Sequence, residues 1–381
     1  MNIEHVKRNI LLNPGPATTT DSVKLAQVVP DICPREAEFG DVMREVSEAL
    51  LRVVHAPEDQ YAAVLFCGSG TLAMDVCVNS LLPAGKKLLV LDNGAYSSRA
   101  AEIARAYSMD VIDAQMPVDC PIDLARVKTI LAEDTAQDIA VVYTTHQETG
   151  TGILNPVREI AELVHAHGAI FIVDTTSTLA MRPIDVVRDG IDFCMASSQK
   201  GIQGMTGLAF IIGRKDIIEV SKDYPVRSYY CNLYQQYEYF RENGQMHFTP
   251  PVQVIYAARQ ALKEYFAEGE AAKWQRHTET MAAIHDGLAK LGFREVIPQK
   301  YQSGLVAAIA YPDDPHWSFE RVHDACYAQG FTIYPGKMQG KGTFRLCALG
   351  AITAEDITAF FRVLRGVLDE MGVAVPVHYE K

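Results

Sequence analysis

Three short segments of this chain carry residue types that chemistry could use. Cys67-Gly-Ser-Gly-Thr71 follows an apolar run over 62–66 and precedes a helical run over 72–82. A glycine-rich turn feeding a helix start presents unbonded N–H groups and the positive end of the helix dipole, and both favour a phosphate. The hydroxyls of Ser69 and Thr71 would add donors. Alone, the segment reads equally well as a tight turn that binds nothing, and it has neither the Walker nor the GxGxxG spacing. Asp174 ends the apolar run 169–173, at the sheet edge where α/β proteins bind ligands; an isolated aspartate there is more often a helix cap. Ser197-Ser-Gln-Lys200-Gly201 follows the apolar run 191–196. A lone lysine after a strand is usually solvated, but small residues flank this one and no charge neighbours it. Covalent catalysis by an amine needs such a partly desolvated lysine.

Together the three make a coherent set. A phosphate cradle, a strand-end carboxylate and a strand-end lysine are the parts that pyridoxal 5'-phosphate (PLP) requires. The lysine forms a Schiff base, the carboxylate keeps the pyridine nitrogen protonated, and the turn anchors the phosphate.

The elements that must position these residues follow from periodicity. Apolar positions at helical spacing predict a helix over 38–55. Short apolar runs then alternate with helical stretches: strands over 88–91, 139–143, 169–173, 191–196 and 208–212, helices over 97–107 and 155–167. Asn155 is expected at the cap of that last helix, Pro156 in its first turn and Gly168 just past its end. Buried runs with helices between them predict an α/β fold with a mostly parallel sheet covered on both faces. From about residue 252 helical patterns over 252–267, 270–291, 318–329 and 353–371 surround two convincing strands, over 305–310 and 343–346. The expected division is a large domain over 15–251 and a smaller α+β domain built from 1–14 and 252–381. The stretch 223–248, rich in Tyr, Gln and Asn, reads as a long functional or interface loop.

Composition narrows the class. A formal charge of -12 over 381 residues argues against non-specific binding to nucleic acid or acidic membranes. None of the eight cysteines forms a CxxC pair, and no metal site or disulfide framework is read. With no signal-peptide core and no run of 18 apolar residues, a cytoplasmic protein is expected.

On these motifs the chain resembles the class V aminotransferases of PLP fold-type I, and within them the 2-aminoethylphosphonate:pyruvate aminotransferases. The resemblance spans essentially the whole chain. Leu12-Asn-Pro-Gly-Pro-Ala-Thr-Thr-Thr20 looks like the family's N-terminal element near the substrate, which implies a substrate-side place for Pro16. Gly68–Thr71 matches its phosphate loop, implicating Ser69, Gly70 and Thr71. Asn93-Gly-Ala-Tyr96 matches the element whose aromatic residue, here Tyr96, stacks on the cofactor. His146-Gln-Glu-Thr-Gly-Thr-Gly152 places Thr149 at the phenolic oxygen. Asp174 falls on the partner of the pyridine nitrogen, Lys200 on the Schiff-base lysine and Gln199 on a phosphate ligand. His247-Phe-Thr-Pro250 implies that Thr249 reaches the phosphate of a neighbouring subunit, and hence a homodimer. Tyr334-Pro-Gly-Lys337 and Phe344-Arg345 match family elements in which Arg345 grips a substrate carboxylate. A seven-stranded sheet in the large domain is also implied.

The implied reaction transfers the amino group of 2-aminoethylphosphonate to pyruvate, giving phosphonoacetaldehyde and alanine. Gln147 and Gly150 stand where the phosphonate-degrading members carry Ser and Thr, which leaves a hydroxylated aminophosphonate open as donor. A PLP lyase releasing ammonia from such a compound and an alanine/serine–glyoxylate aminotransferase are the alternatives. A cysteine desulfurase and a non-catalytic PLP-binding regulator are weaker. His146 reads equally as structural or catalytic, and Glu148 as a buried network member or a substrate-side group.

Overall fold

A computed structural model describes residues 8–336, 338 and 342–380. Seven strands form the central sheet: β1 (Tyr61–Gly68), β2 (Lys87–Asp92), β3 (Val111–Gln115), β4 (Ile139–Thr145), β5 (Ile170–Asp174), β6 (Phe193–Ser197) and β7 (Gly207–Arg214). Their order is β1-β7-β6-β5-β4-β2-β3. Only β7 runs against its neighbours, antiparallel to both β1 and β6. The expected class and the mostly parallel seven-stranded sheet are therefore found.

Seven of the helices matter below: α1 (Ala37–Val53), α2 (Gly70–Leu81), α3 (Ala95–Ala106), α4 (Val157–His167), α5 (Leu233–Asn243), α6 (Val252–Glu268) and α7 (Glu270–Leu291). Successive strand residues point to opposite faces, so the sheet has two apolar layers. On one face Leu65, Phe171, Val173 and Phe210 pack with Phe39, Met43 and Leu50 of α1 and with Ile255, Ala258 and Leu262 of α6. On the other, Phe66, Tyr143, Ile172 and Met195 meet Met74 and Cys77 of α2 and Ala100 and Ala104 of α3.

A separate core gathers Ile284 and Leu288 of α7 with Phe344, Leu346, Phe360 and Leu364. Here Val306–Ala310, Thr343–Cys347 and Tyr334–Pro335 form a three-stranded antiparallel sheet, so a third short strand joins the two that the pattern shows. The N-terminal arm reaches this part of the molecule: Ile10–Leu11 pairs in parallel with Phe331–Thr332. Lys337 of the Tyr334–Lys337 motif lies outside the described residues.

Two local expectations are corrected. Pro156, not Asn155, occupies the cap position of α4, which starts at Val157; Gly168 closes the helix at φ 86 as expected. The Asn155 amide is needed elsewhere: it donates to the Thr145 carbonyl and its oxygen accepts from Asn93 and from the Ile122 N–H. The stretch 223–248 is not all loop. Asn232 caps α5 by accepting from the Gln235 N–H, and Gly244 ends it in the left-handed region at φ 65. Its buried side is Leu233, Gln236 and Tyr237, with the Gln236 amide donating to the Leu65 carbonyl, so polar burial hides the apolar period. No helix among the described residues is long and apolar enough to cross a membrane, and all eight cysteines are unpaired.

Candidate active site

The loops that leave the carboxyl ends of the parallel strands converge on one edge of the sheet, where α/β folds bind ligands. The turn after β1 runs straight into α2, with Ser69 at the cap position making no side-chain capping bond. Its hydroxyl is thereby left to the cavity. After β2, α3 opens at Ala95 and sets Tyr96 in its first turn. Glu148 holds that start: its oxygens accept from the N–H groups of Tyr96 at 3.2 Å, Ser97 at 3.4 Å and Gly150 at 3.2 Å. A Cβ on Gly94 would overlap the Glu148 side chain. Burial pushes the Glu148 carboxyl up to about 7, against the pull of those three donors. Glu148 is fully buried and serves as a network member. His146 is structural too: its ring bonds Thr178 at 3.0 Å, and burial, with nearby Arg182, brings it down to about 4.

Asp174 is the last residue of β5 and is 6% exposed. It accepts from the Thr176 N–H at 2.8 Å and from the Tyr143 hydroxyl at 3.3 Å. Burial raises its pKa, while Thr176 and the charge of Lys200 oppose the rise. Lys200 lies in the turn after β6, and its ammonium donates to the Pro14 carbonyl. A Cβ on Gly15 would strike the Lys200 side chain, so the N-terminal arm can close on the lysine only through a glycine. Thr149 shares a hydroxyl–hydroxyl bond with Ser177.

One cavity of about 170 Å³ brings together Ser69, Gly70, Thr71, Tyr96, Thr149, Asp174, Gln199 and Lys200. Three of the expected site residues do not line it. Thr249 and Pro16 are exposed. Arg345 is 2% exposed, and its guanidinium donates to the carbonyls of Thr149 and Pro335 at 3.0–3.2 Å. The cavity also holds Arg99 and Thr176, which lie in no motif, and Gln147 and Ser197, which lie in motifs that give them no contact with the cofactor. Arg99 donates to the Thr71 hydroxyl at 3.1 Å and lies 5.1 Å from the centre of the Tyr96 ring.

The donor set fits a phosphorylated pyridine. Ser197 Oγ, Gln199 Oε1 and both amide atoms of Gln147 are buried without a hydrogen-bond partner among the described residues. Buried polar atoms are normally bonded, so this many orphans around one cavity mark a place for a polar ligand. At Gly70 an added Cβ would sit 3.2 Å from Ser197 Oγ and narrow the cradle. Asp174, Lys200 and the Ser69–Thr71 turn, all on this lining, supply partners for a ring nitrogen, an aldehyde and a phosphate.

A sheet of this order with a lysine after β6 and an aspartate ending β5 is the arrangement of the fold-type I aminotransferases. Alanine–glyoxylate aminotransferase from Nostoc sp. superposes with a TM-score of 0.87 at 25% identity, covering 96% of both chains. Ureidoglycine–glyoxylate aminotransferase from Bacillus subtilis gives 0.87 at 21% identity, covering 97% of this chain and 95% of that one. Residues 24–340 match the model of the aminotransferase class-V family, and the chain belongs to that family. Among its relatives, the 2-aminoethylphosphonate–pyruvate transaminase of Lysinibacillus sphaericus (strain C3-41) is 34% identical over 359 residues, 94% of this chain and 97% of the relative. The protein of that name from Bacillus cereus (strain G9842) is 34% identical over 350 residues, 91% and 94% of the two chains. The chain is an aminotransferase, and its family implies PLP as cofactor.

Proposed function

We propose that this enzyme transfers the amino group of 2-aminoethylphosphonate to pyruvate, releasing phosphonoacetaldehyde and alanine. The observation that carries the reading is the meeting of Lys200, Asp174 and the Ser69–Thr71 turn in one polar cavity. The end-to-end likeness to transaminases of that name supports the choice of donor.

When bound, the cofactor supplies an electron sink for the carbanion formed at the donor carbon. The rest is done by this chain. Ser69, Gly70, Thr71 and Gln199 bind the phosphate, and Tyr96 lies against the ring. Thr149 would donate a hydrogen bond to the phenolic oxygen. Asp174 holds the proton on the ring nitrogen. Lys200 takes the proton from the carbon that bears the amine and hands it on. The family resemblance gives Arg345 the carboxylate of pyruvate; here its guanidinium is bonded to the Thr149 and Pro335 carbonyls, so it would have to exchange those acceptors for the carboxylate.

Arg99 adds a full cation beside the phosphate turn. Replacing Arg99 with Gln is expected to weaken PLP binding about tenfold and to leave the binding of unphosphorylated pyridoxal unchanged. Titrating the apoprotein with each compound measures both.

The reading extends to assembly. Thr249 is exposed, and beside it Phe248 stacks on Tyr230 at 4.8 Å and packs on Tyr229 at 5.8 Å. Tyr229 is 73% exposed and Val226 64%. An apolar surface of this kind marks an interface. It supports a homodimer in which Thr249 of each subunit reaches the other's phosphate. Unpaired cysteines throughout support action in the reducing cytoplasm. The two separate cores support two domains, but α6 packs on the larger core, which favours counting 252–268 with the large domain rather than with the small one.

The test is a screen of amino donors with pyruvate as acceptor, read as alanine formed. Turnover with 2-aminoethylphosphonate is the expected result. Activity only with alanine or serine toward glyoxylate, or ammonia release without alanine, would replace this reading with one of its alternatives.

A further inference from the structure

The turn that carries Lys200 is tied down carbonyl by carbonyl. Ser198 O accepts from the Gly204 N–H at 2.7 Å, Gln199 O from the Ala17 N–H at 2.8 Å and Lys200 O from the Gln203 N–H at 2.9 Å. The fourth, Gly201 O, accepts from the Nζ of Lys273 on α7, at 2.8 Å. Three of these donors are backbone; the fourth is a side chain that arrives from a helix outside the large sheet.

Lys273 is an odd residue to find there. It is 2% exposed, and it makes no ion pair among the described residues; Glu268 and Glu264 lie near enough to act on its charge. It lies in the first turn of α7, where the helix dipole disfavours a cation. Its Nζ also lies 5.1 Å from the centre of the Tyr265 ring. Burial and the neighbouring Arg276 bring its pKa down to about 7. A methionine of similar length would fill this space with none of those costs. Where a sequence breaks several local rules at one buried position, the cause is usually functional.

Gly201 shows how tightly the turn is seated. A Cβ there would overlap the Leu179 carbonyl oxygen and crowd Met181, so this backbone is wedged on one side and held by Lys273. Gln203, two residues on, sits in the left-handed region at φ 63.

We propose that Lys273 is a positioning residue for Lys200: by holding the Gly201 carbonyl it fixes the turn so that the Lys200 amine meets the cofactor aldehyde. This rests on the reading of Lys200 as the cofactor lysine. Lys273 touches neither cofactor nor substrate; it acts through the backbone.

The experiment mixes apoprotein with PLP and follows the growth of the visible band of lysine-bound cofactor, together with the pH midpoint of that band. Lys273→Met is expected to slow the band about tenfold or more and to displace its pH midpoint. Lys273→Arg, which keeps a donor, is expected to stay within about threefold of wild type. If Lys273→Met does not fold, Lys273→Leu takes its place, because it too fills apolar space and offers no donor to the carbonyl. A donor-less variant that forms the band at the wild-type rate with the wild-type midpoint overturns the proposal, even if it melts at a lower temperature. Equal slowing in Lys273→Arg and Lys273→Met overturns it as well. A wild-type protein that forms no band defeats the assignment of Lys200 instead, so the two failures are distinguishable.

Discussion

Lys200→Ala is expected to bind PLP without developing the visible band of the lysine-bound form and to lose more than about a thousandfold in turnover. Two functions disappear together. The amine no longer holds the cofactor, and no base is left beside the carbon that must lose its proton. Asp174 is the other protonatable group of the cavity nearby, but its carboxylate is committed to the Thr176 N–H and the Tyr143 hydroxyl. The fold should survive. Lys200 is only half-buried, and the turn it sits on is held by backbone carbonyls and by Lys273 rather than by its own side chain. An absorbance spectrum, a melting curve of the apoprotein and a turnover assay with saturating donor check the three parts. A band of normal intensity with normal turnover would remove Lys200 from the chemistry.

Much of the fold is written in apolar periodicity, and the misses have physical causes. Helices α1, α6 and α7 fall within two residues of their expected bounds: apolar stripes mark the first two, and α7 lies between Gly269 and Gly292 with its apolar face confined to the second half. β3 escapes detection because Val111–Gln115 lies at the sheet edge, where four of five residues are not fully buried and no apolar run is needed. α5 escapes because it buries Gln236 where a stripe would show a hydrophobe. The site divides along the same line. Residues fixed by strand ends, Asp174 and Lys200, and by a glycine turn, Ser69 to Thr71, are legible because local sequence sets their place. Arg99 and Lys273 sit on elements whose pattern looks ordinary; their role comes from what the chain brings beside them across tens of residues. An arginine one turn into a helix reads as a solvated face until Thr71 is found at 3.1 Å.

Asp174→Asn should move activity and stability in opposite directions. A neutral amide cannot hold a proton on the ring nitrogen by charge, so turnover is expected to fall about a hundred- to a thousandfold, with cofactor still bound through Lys200 and the phosphate turn. Stability follows from the raised pKa. Burial is its first cause, and the folded protein therefore binds the Asp174 proton more tightly than the unfolded chain does. Such a group contributes its full stability below the unfolded carboxylate range and loses it as pH rises through the folded pKa. Above its folded pKa the apoprotein thus carries a buried charge that costs stability, kept for the cofactor. Asparagine has the same shape, can accept from the Thr176 N–H, and carries no charge. Apo Asp174→Asn is expected to melt above the wild-type apoprotein at pH 8, and the gap should close as pH falls towards 4. With PLP added the order should narrow or reverse, since only the wild type gains the charge-assisted bond to the ring nitrogen. Melting curves at several pH values, with and without PLP, read all of this. A variant less stable than wild type at every pH would show that the Asp174 carboxylate is a structural anchor rather than a charge held ready for the ring.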